Sequence, residues 1–179
     1  MKPVSTMGSG DLGQELDLDT LISELEDSDL VTEANFHGPS MVTLRLTTGG
    51  PAITIYRTGG FQVRGTEDRD DLYKIKDELL STLEKIGLET SETTFEQKNA
   101  VFLGDLNQDL NLEALALHLG LEYVEYEPEQ FPGLIYRPSS TNIVLLVFAS
   151  GKVIISGITE RKAAEENFSR LQDQAIHLG

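Results

Sequence analysis

The chain repeats itself. Residues 10–21 read GDLGQELDLDTL and residues 104–115 read GDLNQDLNLEAL, identical at seven of twelve positions at an offset of 94. Farther on, ITIYRTGGFQVRG (residues 53–65) lies over LLVFASGKVIISG (residues 145–157) at an offset of 92. Self-similarity on this scale restricts the fold to two copies of one unit. The blocks predict units over residues 1–96 and 97–179, with two extra residues in the first copy, placed in the loop near residues 35–40.

Both copies predict the same order of elements. An opening strand (residues 3–8 and 98–103) precedes a short helix. Leu18, Leu21, Ile22 and Leu25 make one apolar stripe behind Asp17 as N-cap; Leu112, Leu115, Ala116 and Leu119 make another behind Asn111. Four strands follow, ending at Gly65 and Gly157. A longer helix closes each copy: Leu72, Ile75, Leu79, Leu83 and Ile86 before Gly87, then Ala164, Phe168, Leu171 and Ala175 behind Thr159 as N-cap. Residues 89–97 form a short polar linker. Units so rich in strands, with so few helices, fit an α+β fold with helices on one face of an antiparallel sheet.

Alternation assigns the faces. In the first copy Ile53, Ile55, Phe61 and Val63 point to one side, and Thr54, Tyr56, Gln62 and Arg64 to the other. In the second copy both faces are apolar: Leu145, Val147, Val153 and Ile155 on one, Val144, Leu146, Phe148 and Ile154 on the other. A sheet covered on one side has no use for a second greasy face unless a partner meets it.

Charge points the same way. The chain carries 30 acids and a net charge of −16, yet residues 34–66 and 130–159 contain none. The only charges in those windows are Arg45, Arg57 and Arg64 in the first, and Arg137 and Lys152 in the second. Bulk acidity argues against phosphate binding. It is also the composition of proteins from a high-salt cytoplasm, where screening acts within ~3 Å at molar salt and local contacts decide binding. Enzyme classes find no support: there is no Cys, no P-loop or GxGxxG, and no ligand spacing among His37, His118 and His177. Neither cofactor nor metal is expected. No apolar run approaches the ~20 residues of a membrane helix, and no secretory signal is visible, so a cytoplasmic protein is expected.

The segment YEPEQFPGLIYR (residues 126–137), followed by LLVFASGKVIISG, resembles the second repeat of archaeal TATA-box-binding proteins. The run NLEALALHLGLEYVEYEPEQFPG and the KIGL (residues 85–88) that leads to the strand at Asn99 support it. The resemblance is dense over residues 97–179 and thin over 1–96. It implies a saddle: a curved, antiparallel, ten-stranded sheet with four helices on its convex face. It implies a general initiation factor, nucleoid-associated, that bends A·T-rich promoter DNA through the minor groove. Recruitment of transcription factor B, and through it RNA polymerase, is implied too.

On this resemblance Phe131 and Phe148 are a wedge pair, Val101, Leu146 and Ile154 an apolar floor, and Ser156 a small contact. Asn99 would donate to base acceptors, and Arg137 and Lys152 would hold phosphates. In the stirrup loop Glu127 and Glu129, with Gln130, would meet the basic core of transcription factor B. The first copy departs: Ser5 stands at Asn99's place, Tyr56 at Phe148's, Thr54 and Gln62 at Leu146 and Ile154, and Arg64 at Ser156. Phe131's counterpart is Pro39 by straight offset, or Phe36 if the loop is realigned. Arg45, Arg57 and Arg64 are expected to compensate through phosphates or the groove, with Tyr56 as a polar-tipped wedge. A second reading stays open, a diverged paralogue with weak or no TATA binding whose open face holds a protein or a homodimer mate.

Overall fold

The computed structural model describes residues 1–139 and 141–176; Ser140 and His177 lie outside the described residues. In chain order the elements are β1 (Lys2–Asp11), α1 (Leu18–Asp27), β2 (Glu33–Phe36), β3 (Met41–Arg45), β4 (Ala52–Tyr56), β5 (Gly60–Thr66) and α2 (Arg69–Lys85). The series then recurs as β6 (Thr94–Asp105), α3 (Leu112–Leu119), β7 (Val124–Glu125), β8 (Gly133–Tyr136), β9 (Val144–Phe148), β10 (Lys152–Ile158) and α4 (Arg161–Ala175). The opening strands exceed their predicted length, and β6 takes in part of the expected linker.

The chain forms two compact units, one of Ser5–Lys98 and one of Met1–Val4 together with the chain from Asn99 onward. In the first the strands lie in the order β2-β3-β4-β5-β1, in the second β6-β10-β9-β8-β7. Each pairing within the two units is antiparallel.

Each core lies between the helices and one sheet face. In the first unit the α1 stripe, Leu72, Leu79 and Leu83 of α2, and Val42, Leu44, Ile53, Ile55, Phe61 and Val63 are all buried. In the second, the α3 stripe, Ala164, Leu171 and Ala175 meet Leu134, Leu145, Val147, Val153 and Ile155. The predicted division of faces is therefore the observed one. Asp17 and Asn111 cap their helices, Asn111 Oδ1 accepting from Ala114 N at 2.9 Å. At α4 the expectation fails by one residue: Glu160 takes the N-cap position, without a side-chain cap bond, and Thr159 precedes it.

The register also corrects the placement of the insertion. Ala34 pairs with Leu44, and Val124 with Tyr136, so β2 and β7 correspond at an offset of 90. The first copy thus has four more residues between its short helix and β2, and two fewer in the loop near residues 35–40. That realignment sets Phe36 opposite Tyr126 and leaves Pro39 in Phe131's place. Phe36 pairs with the buried Val42 and shares its side of the sheet, so it is no counterpart of a wedge.

Candidate nucleic-acid interface

On the helix-free face of the second unit, cross-strand register lines four apolar side chains into a row. Ile135 pairs with Leu146, Leu146 with Ile154, and Ile154 with Leu103. The first three are half-buried, and Leu103 is 41% exposed. Val101 shares this face, half-buried on β6. Sequence reasoning had Leu146, Ile154 and Val101. It missed Ile135 and Leu103, whose membership depends on which residue each faces across the ladder.

At the stirrup end of this row lie the two expected rings. Phe131 and Phe148 meet edge to face, centroids 5.9 Å apart and planes at 64°, both half-exposed. Gly133 makes the arrangement possible. It pairs with Phe148, and a Cβ there would stand 2.8 Å from the Phe131 ring, 3.1 Å from the Phe148 ring and 3.2 Å from the Val147 carbonyl. In the first unit Met41 occupies this site opposite Tyr56, with Pro39 in the loop, so among the described residues no second ring joins the half-buried Tyr56. Gly133→Ala is expected to splay the ring pair and weaken binding to duplex DNA about tenfold, with a smaller bend in a fluorescence-transfer assay.

The backbone fixes Phe131. The Glu127 carbonyl accepts from both Gln130 N and Phe131 N at 2.9 Å, and the Gln130 carboxamide donates to the Glu127 carboxylate. Glu127, Glu129 and Gln130 are all exposed. Tyr126 ties the base of this loop to α3. Burial first, then the Glu113 carboxylate, which also bonds the phenol, raises its pKa above the usual value.

Asn99 is oriented by a bulge. Gly157 N donates to Asn99 Oδ1 at 3.1 Å, where the β6–β10 register slips. Gly157 has φ 77°, and a Cβ there would sit 2.0 Å from the Asn142 carbonyl, so only glycine serves. With its oxygen engaged, the Asn99 amide has its two N–H donors left for a ligand. Ser156 lies half-buried on β10 beside Gly157, paired with Val144.

The cations are less free than their acid-free windows suggest. Arg137 pairs with Glu125 at 3.6 Å, and Arg45 with Glu33 at 3.2 Å; both acids sit on edge strands just outside the windows. Arg45 also donates to the Gly50 carbonyl, and Arg64 to the Gln62 carboxamide oxygen. Exposed pairs of this kind contribute little and exchange readily for phosphate. Lys152 is exposed across from Asp105, and Arg57 is exposed in the turn after β4.

In the first unit the equivalent row is polar from end to end. Thr43 pairs with Thr54, Thr54 with Gln62, and Gln62 with Ser9, all half-buried. The two threonine hydroxyls bond each other at 3.1 Å. Among the described residues no group of His, Asp or Glu is placed to hold a metal ion, and no helix is long and apolar enough to cross a membrane.

Comparison with known proteins gives the arrangement a context. The family profile described as "Transcription factor TFIID (or TATA-binding protein, TBP)" matches residues 1–86 and 94–174. TATA-box-binding protein C of Halobacterium salinarum is 40% identical over 175 residues, covering 96% of this chain and 95% of that one. The TATA-box-binding protein of Archaeoglobus fulgidus is 32% identical over 180 residues, covering 100% and 96%. Among solved structures, Methanococcus jannaschii TBP matches with a TM-score of 0.83 at 28% identity, over 97% of this chain and 96% of that one. The fold is thus the expected one of ten antiparallel strands and four helices.

Proposed function

Since the chain belongs to the TATA-binding protein family, we propose that it is a general transcription initiation factor that binds and bends A·T-rich promoter DNA through the minor groove. One observation carries this reading: two half-exposed rings beside an apolar row, on a face no helix covers. A·T pairs show only acceptors in the minor groove, whereas G·C adds an exocyclic amino donor that an apolar surface cannot satisfy. Flexible TA steps unstack cheaply, and wedge side chains inserted between them kink the duplex; this family is the standard example of that mode. Phe131 and Phe148 are the wedge, with Leu146, Ile154, Val101, Ile135 and Leu103 as the floor. Asn99 supplies donors to base acceptors, Ser156 allows close approach, and Arg137 and Lys152 hold phosphates. In the first repeat Tyr56, Arg45 and Arg64 make the corresponding contacts. With residues 1–96 and 97–179 as the repeats, each reads its own half of the element, in the cytoplasm with the nucleoid.

Recruitment runs through the stirrup. Glu127 and Glu129 are exposed acids on a loop braced by its own hydrogen bonds, suited to a basic surface on transcription factor B, which brings RNA polymerase. In a gel shift with TATA-containing duplex at molar potassium chloride, the wild type shifts the probe, and transcription factor B supershifts it. The double variant Glu127→Lys/Glu129→Lys is expected to keep the first band and lose the second. Absence of any shift, with and without transcription factor B, favours the other reading, in which the open face holds a protein or a second copy of the chain.

A further inference from the structure

The two units present the same row of four positions with opposite chemistry, and that difference bears on which base pairs each accepts. In the second unit a guanine N2 amino group pressed onto Ile135, Leu146, Ile154 and Leu103 loses its water and gains no acceptor. In the first, Thr43, Thr54 and Ser9 offer hydroxyl oxygens, and Gln62 a carboxamide, at the same positions. A hydroxyl carries one donor and two lone pairs, and Thr43 and Thr54 together use only one bond between them. They can therefore accept from guanine N2 as readily as they donate to adenine N3 or thymine O2. Gln62 widens the range: its oxygen accepts from Arg64, which leaves its amide hydrogens for base acceptors.

We infer that the first unit reads a minor groove of mixed sequence, accepting G·C pairs, while the second demands A·T. The DNA element would then be asymmetric in composition, and that asymmetry would set the direction in which the protein docks. The inference rests on the DNA-binding reading above and adds to it the identity of the half-site that Thr43, Thr54, Gln62 and Ser9 select.

The test is a walk of single G·C pairs across an all-A·T duplex, with affinities of the full chain measured at molar potassium chloride. Over one half of the site each G·C pair is expected to weaken binding roughly tenfold or more, and over the other less than about threefold. Replacing guanine by inosine removes only the N2 amino group. It should restore affinity in the strict half and change nothing in the tolerant one. The variant Thr43→Ile/Thr54→Leu/Gln62→Ile, which copies the second unit's row at all its positions but Ser9, should make the tolerant half strict; Thr54→Leu alone serves if the triple variant melts early. Equal penalties in both halves, or a folded variant that keeps its tolerance, would overturn the inference and leave the DNA reading standing. Failure to bind even the all-A·T duplex would bring down both.

Discussion

Phe148→Ala is expected to weaken binding to an A·T duplex about thirty-fold or more and to shrink the bend, while the melting temperature moves by less than about 2 °C. Both halves of that expectation come from where the ring sits. It is half-exposed on the helix-free face, touching Phe131 edge-on at 5.9 Å, with Gly133 rather than a larger side chain beside it. Its strand neighbours on the other face, Leu145 and Val147, carry the packing. Truncation removes one of two wedges and leaves Phe131 without its edge contact, but opens no cavity in the core. Circular dichroism melting and a bend measurement on the same preparation decide the matter. A normal bend would remove Phe148 from the wedge, and a melting drop beyond about 6 °C would make it a core residue.

Phe61→Ala should do the opposite. This ring is 1% exposed and stacks on Phe95 with centroids 5.5 Å apart and planes at 11°; Phe95 meets Tyr73 of α2 edge-on at 5.4 Å. Emptying the fully buried end of that three-ring assembly is expected to lower stability by about 3–5 kcal/mol, or about 6–20 °C in melting temperature for a chain of this size. The measurement belongs at molar salt, where the self-repulsion of sixteen net negative charges is screened. DNA affinity of the folded protein should hardly change, because Phe61 faces the helices. A loss of affinity equal to that of Phe148→Ala would mean that the two faces are not independent.

Much of this was legible in the residues alone, and the rest has identifiable reasons. Periodicity found both cores, since alternation along a strand says which side chains share a face. It could not say which residues stand opposite one another, and so it missed Leu103 and Ile135. Loop lengths defeat offset arithmetic in the same way. A net difference of two residues concealed four gained before β2 and two lost after it, and only the pairings of Ala34 and Val124 separate them. Charge was half readable: the windows free of acids are real, but Glu33 and Glu125 reach Arg45 and Arg137 from just outside them. Gly133 carried no signal in the sequence beyond its place after Pro132, because its role lies in what a Cβ would strike.

The grouping of Met1–Val4 with the second unit has a consequence for synthesis. Met1 packs against the core that holds Phe102 and Leu171, so its place in a core stays open until the second repeat has been made. The first unit likewise runs past the repeat boundary to Lys98, because β6 begins inside it. Neither unit is therefore built from one repeat alone. Cutting the gene between residues 96 and 97 would separate Met1 from the core it packs against.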